Sequence, residues 1–165
     1  MSDAVPREPH PASAGLAAGI DEALVRAVVE TFYGKVRRDP LLGPIFNEAV
    51  ADWPEHLDRL CAFWSSLTLM TGRYKGDPFG VHLALPPLDQ AHFRTWLGLF
   101  GETLGELCTP DQAEVFRVRA ERVAESLSLG LAIRRGEAPL PARRPRSRKP
   151  AQPAVNRRST NSSRS

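Results

Sequence analysis

The stretch FGVHLALPPLDQAHF, residues 79–93, carries two of the chain's four histidines, His82 and His92, with a Pro-Pro pair between them. A neutral imidazole is the commonest metal ligand and a proton carrier near neutral pH, so the setting of each histidine decides what chemistry is open to it. His82 is flanked by Val81, Leu83 and Leu85, surroundings that suit packing and ligation equally. His92 falls near the third position of a helix opened by Asp89, where an exposed or capping role is expected. His56 has Leu60, Phe63, Trp64 and Leu67 at plus four, seven, eight and eleven. That spacing puts its imidazole on the apolar side of a helix, and alone it reads as a hydrogen-bonded core histidine. His10 sits among Pro, Ala and Ser near the N-terminus and carries no chemistry.

Tyr33, beside Phe32, falls on the inward face of the first long helix, and Trp96 falls on the inward face of a later one. Each taken singly is a core filler, since a buried Tyr hydroxyl or Trp N–H finds a backbone partner. Together, Tyr33, His56 and Trp96 bring three hydrogen-bond donors around an otherwise apolar space, with His82 on a further element. A metal-free core has little use for such a gathering. A pocket holding a polar ligand on a metal needs it. Cys61 and Cys108 have neither zinc spacing nor a CxxC motif, and two unpaired thiols in a chain with no signal sequence fit a reducing cytosol.

The elements that must position these side chains are helical. Leu24, Val25, Val28, Val29, Phe32, Tyr33 and Val36 recur at three and four, and Pro40 and Pro44 end that helix. A short apolar element over residues 41–50 follows. Asp52 is a helix N-cap with Glu55 three residues on, and Asp89 caps the helix carrying Trp96. Gly98, Gly101 and Gly105 interrupt that helix at a cost of about 1 kcal/mol each, so close approach of another helix or of a bulky ligand is expected there. Thr109-Pro110-Asp111-Gln112 is a capping box with Pro at the first helical position, and the last helix runs to about Leu131. His82 belongs to a short helix opened by Asp77-Pro78. No stretch alternates with period two, so the fold class is all-α, with four long helices and two short ones.

Hydrophobic residues make up 42% of 165, enough for one sizeable core. The net charge of +3 conceals an uneven distribution: residues 134–165 hold ten basic residues against Glu137, which leaves −6 on residues 1–133. The folded body is therefore acidic, which excludes it as a nucleic-acid surface. The Pro/Arg/Ser-rich tail cannot bury enough surface to fold; it reads as solvated chain, with an electrostatic arm for nucleic acid or an acidic partner as the sharper alternative. The division expected is a flexible leader over residues 1–18, a folded domain over 19–133 and a disordered basic tail over 134–165. No apolar stretch is long enough to span a bilayer, and a soluble cytoplasmic protein is expected.

The words FYGKVRRDPLLGPIF, DWPEHLDRLCAFWSS, TGRYKGDPFGVHLALPPL and HFRTWLGLF, in this order and spacing over residues 20–131, resemble the third group of the truncated haemoglobins. The resemblance implies a two-over-two helical globin sandwich around haem b. It implies His82 as the proximal iron ligand, His92 as no ligand, and Tyr33, His56 and Trp96 as the distal groups that stabilise a bound ligand. Phe46 matches the family's aromatic against the porphyrin; Phe63, Trp64, Leu85 and Phe93 are expected to line the cofactor as well. Arg73 and Tyr74, with Lys75 beside them, are the expected partners of the haem propionates. Reversible binding of dioxygen, nitric oxide and carbon monoxide follows from the resemblance. Oxygen/nitric oxide or peroxide chemistry with an external reductase is expected rather than oxygen transport. A sequestering or sensing module without turnover is the alternative, and a haem-free helical interaction domain with a nucleic-acid-binding tail is a third.

Overall fold

The computed structural model describes residues 7–76, 88–134 and 136. Among them every regular element is a helix: α1 (Ala14–Ala17), α2 (Glu22–Arg38), α3 (Gly43–Ala49), α4 (Trp53–Leu69), α5 (Gln90–Leu107) and α6 (Pro110–Arg134). The short helix expected around His82 and the tail beyond residue 136 lie outside the described residues. No helix among the described residues is long and apolar enough to cross a membrane.

The heptad-like apolar stripe of α2 becomes the centre of the core. Val25, Val28, Val29, Phe32 and Val36 are fully buried and Tyr33 nearly so, each such side chain contributing about 1.5–3 kcal/mol by leaving water. Asp21 starts α2 by accepting the Leu24 N–H at 2.8 Å. Asp39, after its end, accepts from Leu41 N and Leu42 N at 2.9 Å each, turning the chain into α3. Helix α2 packs on both α4 and α5, and α5 packs on α6. Two helix pairs, α2 with α4 and α5 with α6, thus make up the packed body of the described residues, joined where α2 meets α5. Lys35 ties α2 to α5 through Glu102 at 3.2 Å and Glu106 at 2.6 Å.

The three predicted caps form. Asp52 accepts from Glu55 N at 3.2 Å. Thr109 and Gln112 bond reciprocally, backbone to side chain, at 3.0 and 3.3 Å. Asp89 accepts from Ala91 N and His92 N while the His92 ring nitrogen Nδ1 accepts the Asp89 N–H at 3.0 Å, a capping box with histidine in the usual glutamate position. The N–H groups of His92 and Ala91, aided by the His92 ring, hold the Asp89 carboxyl below its ordinary pKa. A depressed folded value means that the ionised carboxylate stabilises the fold above the unfolded pKa of about 3.9 and loses that contribution as pH falls through the lowered value. Urea midpoints of Asp89→Asn, which keeps an acceptor but cannot titrate, should therefore fall less steeply than wild type below about pH 4.

Two expectations are corrected. The leader is folded where it is described: Ser13 caps α1, the His10 N–H donates to the Leu69 carbonyl at 2.9 Å, and α1 rests on α4. A Cβ at Gly15 would meet Thr68 O at 2.2 Å, so this crossing requires glycine. A helix of four residues is too short to display an apolar period, which is why the sequence does not signal it. Conversely, Gly98, Gly101 and Gly105 have nothing within 4 Å of an added Cβ. None of the described residues approaches them; they form an exposed stripe of α5. Replacing each by Ala should stabilise the protein by about 1 kcal/mol, read as a higher denaturant midpoint with unchanged slope.

Candidate functional site

Five helices converge on a cavity whose walls are largely aromatic and aliphatic. Tyr33 reaches it from α2 and Phe46 from α3. From α4 come His56, Arg59, Leu60, Phe63 and Trp64, which repeat at three, four, seven and eight along one face. Helix α5 contributes His92, Phe93 and Trp96, and α6 closes the space with Val123, Ala124 and Leu127. Tyr74 and Leu88 line it from outside the helices.

The polar groups are few and collected. The Tyr33 side chain is 5% exposed, and burial drives its phenol pKa well above the ordinary value. The neighbouring Trp96 indole, which can only donate, pulls the other way. The Tyr33 ring also meets His56 edge-on at 6.3 Å between centroids, and His56 meets Trp53 at 5.6 Å. Tyr33, His56 and Trp96, read from three separate helices in the sequence, thus form one wall. Behind it, Trp96 lies parallel to Phe100 at 5.7 Å with an interplanar angle of 2°, and Phe100 stacks on Trp64 at 4.9 Å.

Of the remaining sequence-derived residues, Phe46, Phe63, Trp64, Tyr74 and Phe93 all line the cavity. His82 and Leu85 lie outside the described residues. His92 is the helix cap expected, and it lines the cavity as well. Arg73 does not line the cavity. Its Nε stands 3.4 Å from the Glu22 carboxylate and its Nη2 donates to the Arg7 carbonyl at 3.1 Å. The reason is local. Glu22 also accepts from the buried Ser65 hydroxyl at 2.6 Å, which lies 2.8 Å from the Thr71 hydroxyl, and this polar cluster draws the loop after α4 toward the start of α2. Lys75 is exposed and does not line the cavity.

Sequence reading missed Arg59. Its signal was available: three residues after His56 and four before Phe63 put it on the same helical face. Its guanidinium pairs with Glu55 at the rim. Cys61 and Cys108 are free thiols whose pKa values burial pushes up, so neither is an activated nucleophile. Among the described residues no group of three or more His, Cys, Asp and Glu side chains is placed to hold a metal ion by itself.

No family model matches the chain. A curated protein described as group 3 truncated hemoglobin ctb, from Campylobacter jejuni, is 38% identical to it over 109 residues, which span 64% of this chain and 86% of that protein. The crystal structure of a group III truncated hemoglobin from Campylobacter jejuni matches with a TM-score of 0.65 at 37% identity, covering 68% of this chain and 91% of that one.

Proposed function

The chain belongs to the group 3 truncated haemoglobins, and from that premise we propose that its cavity holds haem b and binds diatomic gases in the service of redox chemistry rather than transport. The lining fits such a group: aromatic and aliphatic walls suit an apolar disc, while Tyr33, His56 and Trp96 leave one wall polar. His82 supplies the protein's bond to iron, as the sequence resemblance implies. Phe46, Phe63, Trp64 and Phe93, with Leu85, cover the porphyrin. Arg59, Tyr74 and His92 offer polar groups to its acidic edge. Haem contributes an iron with one open position for a small ligand.

The protein's own part is to orient, to hold protons and to keep water out. Tyr33 lines the cavity near Trp96 with a phenolic hydrogen to donate. A ligand atom carrying partial negative charge accepts it, and in a dry cavity such a bond is worth about 1 kcal/mol or more. His56, edge-on to Tyr33, is placed to hold or pass a proton at that wall. Strong retention disfavours oxygen delivery and favours keeping oxygen until nitric oxide or peroxide reacts. Re-reduction then falls to an external reductase in the cytoplasm, since the sequence has no flavin or nicotinamide motif. The observation that carries this reading is the gathering of Tyr33, His56 and Trp96 on one wall of an otherwise apolar cavity.

An absorption spectrum tests the cofactor: the purified full chain should show a Soret band that carbon monoxide displaces. Nitric oxide consumption in air, with stoichiometric nitrate and repeated cycles when a reductase is added, tests the chemistry. A colourless protein sinks the first reading, and a single turnover that no reductant renews sinks the second in favour of sequestration.

A further inference from the structure

Behind the distal wall a second cleft opens between the last turn of α2, α3 and the first turn of α4. Gly34, Arg37, Arg38, Asn47, Val50 and Trp53 line it, around about 810 Å³ of empty space with its mouth included. Basic residues in the last turn of a helix ordinarily do no more than complement the helix dipole. Arg37 is held differently. Its guanidinium lies over the Trp53 ring, 4.5 Å from the centroid, while its carbonyl accepts from the Asn47 side-chain amide at 3.1 Å. Arg26, Arg59 and Arg117 each pair with a carboxylate, but among the described residues neither Arg37 nor Arg38 does. Gly34 keeps the floor open: an added Cβ would meet nothing closer than Arg38 Nη2 at 3.9 Å.

We propose that this cleft is a binding site for small oxyanions of the nitrite and nitrate class. Two guanidinium groups without carboxylate partners face one concavity, and the guanidinium fork matches a pair of oxygen atoms on one planar anion. Stacking on the indole leaves the Arg37 N–H edges directed sideways rather than spent on the ring. The Trp53 ring adjoins both the cleft and the wall described above: it lines the cleft and lies 6.3 Å from Tyr33 and 5.6 Å from His56 between centroids. An anion that engages Arg37 therefore alters the packing of the residue that backs both distal groups. Anion binding stands apart from the haem reading; only this consequence at the wall rests on it.

The test is a nitrate titration of the full chain, as purified, followed by the NMR signals of the Asn47 side-chain amide and the Trp53 indole at constant ionic strength. Saturable shifts confined to the cleft are expected. Arg37→Gln and Arg38→Gln should each weaken binding about five- to tenfold, the fold-change of losing one exposed charge-assisted hydrogen bond. Gly34→Leu should abolish it while both arginines remain. Shifts that survive undiminished in the double arginine variant, or in Gly34→Leu, overturn the proposal. So does silence toward nitrate with response to a poly-glutamate peptide, which would make this face a protein-docking surface. Because the readout needs no iron, failure here is distinguishable from failure of the gas-ligand reading. In haem-loaded protein, nitrite should also bind the ferric form more slowly in Arg37→Gln, with ferrous carbon monoxide binding unchanged.

Discussion

The His82→Ala protein should take up haem at least roughly a hundredfold more weakly than wild type, more than the 10–100-fold typical of losing an outer-shell partner, and should lose the five-coordinate ferrous spectrum. The expectation rests on what the other histidines are doing. His10 accepts the Ala12 N–H through Nδ1 and sits by Leu69. His56 stands on the Tyr33 wall. His92 is tied into the first turn of α5 by accepting the Asp89 N–H. His92 nevertheless lines the cavity, so it is the competitor to eliminate. The matched control is His92→Gln, which keeps an acceptor for the Asp89 N–H in the α5 capping box and should leave the iron spectrum unchanged. Added imidazole should restore the five-coordinate spectrum to His82→Gly. A chain that keeps its spectrum without His82 and loses it without His92 would reassign the ligand.

Tyr33→Phe should speed release of dioxygen by about tenfold, and Trp96→Phe by a similar factor, measured by stopped-flow displacement with carbon monoxide. Each figure corresponds to about 1.4 kcal/mol, the loss of one hydrogen bond in a dry site. The two effects should not multiply. Trp96 neighbours the oxygen that Tyr33→Phe removes, and both side chains line one cavity, so the double variant should deviate from additivity by about 1 kcal/mol. A stability signature accompanies the kinetic one: each single variant should move the denaturant midpoint, and the double variant should move it by less than the sum of the two. Additive off-rates together with unchanged midpoints would mean that the two side chains act independently of one another.

How legible this arrangement is in the sequence depends on range. The inward stripes of α2 and α4 are readable because a 3.6-residue period spans four turns, and the caps at Asp52, Asp89 and Thr109 are readable because each is decided within three residues. Tyr33, His56 and Trp96 were found by the same means, as polar interruptions of apolar faces. What the sequence conceals is set by contacts across the chain. Arg73 is carried away from the cavity by Glu22, Ser65 and Thr71, which only the folded chain assembles. The stripe of Gly98, Gly101 and Gly105 looks like a packing face, yet the side of α5 that it occupies meets none of the described residues. The fold of residues 14–17 onto α4 depends on one backbone approach at Gly15, and nothing in local periodicity announces it.

The parallel stack of Trp96 on Phe100, with Trp64 beneath, has a bearing on how the site meets a guest. An indole pinned between flat neighbours has already surrendered its rotational freedom when the chain folds, so none remains to be lost on ligand arrival. The donor array is preorganised, and its rigidity is vested in a phenylalanine that itself stays out of the cavity. On the proposed reading, selectivity among gases is partly encoded one layer back, where a chemically silent ring governs how sharply a polar one is aimed.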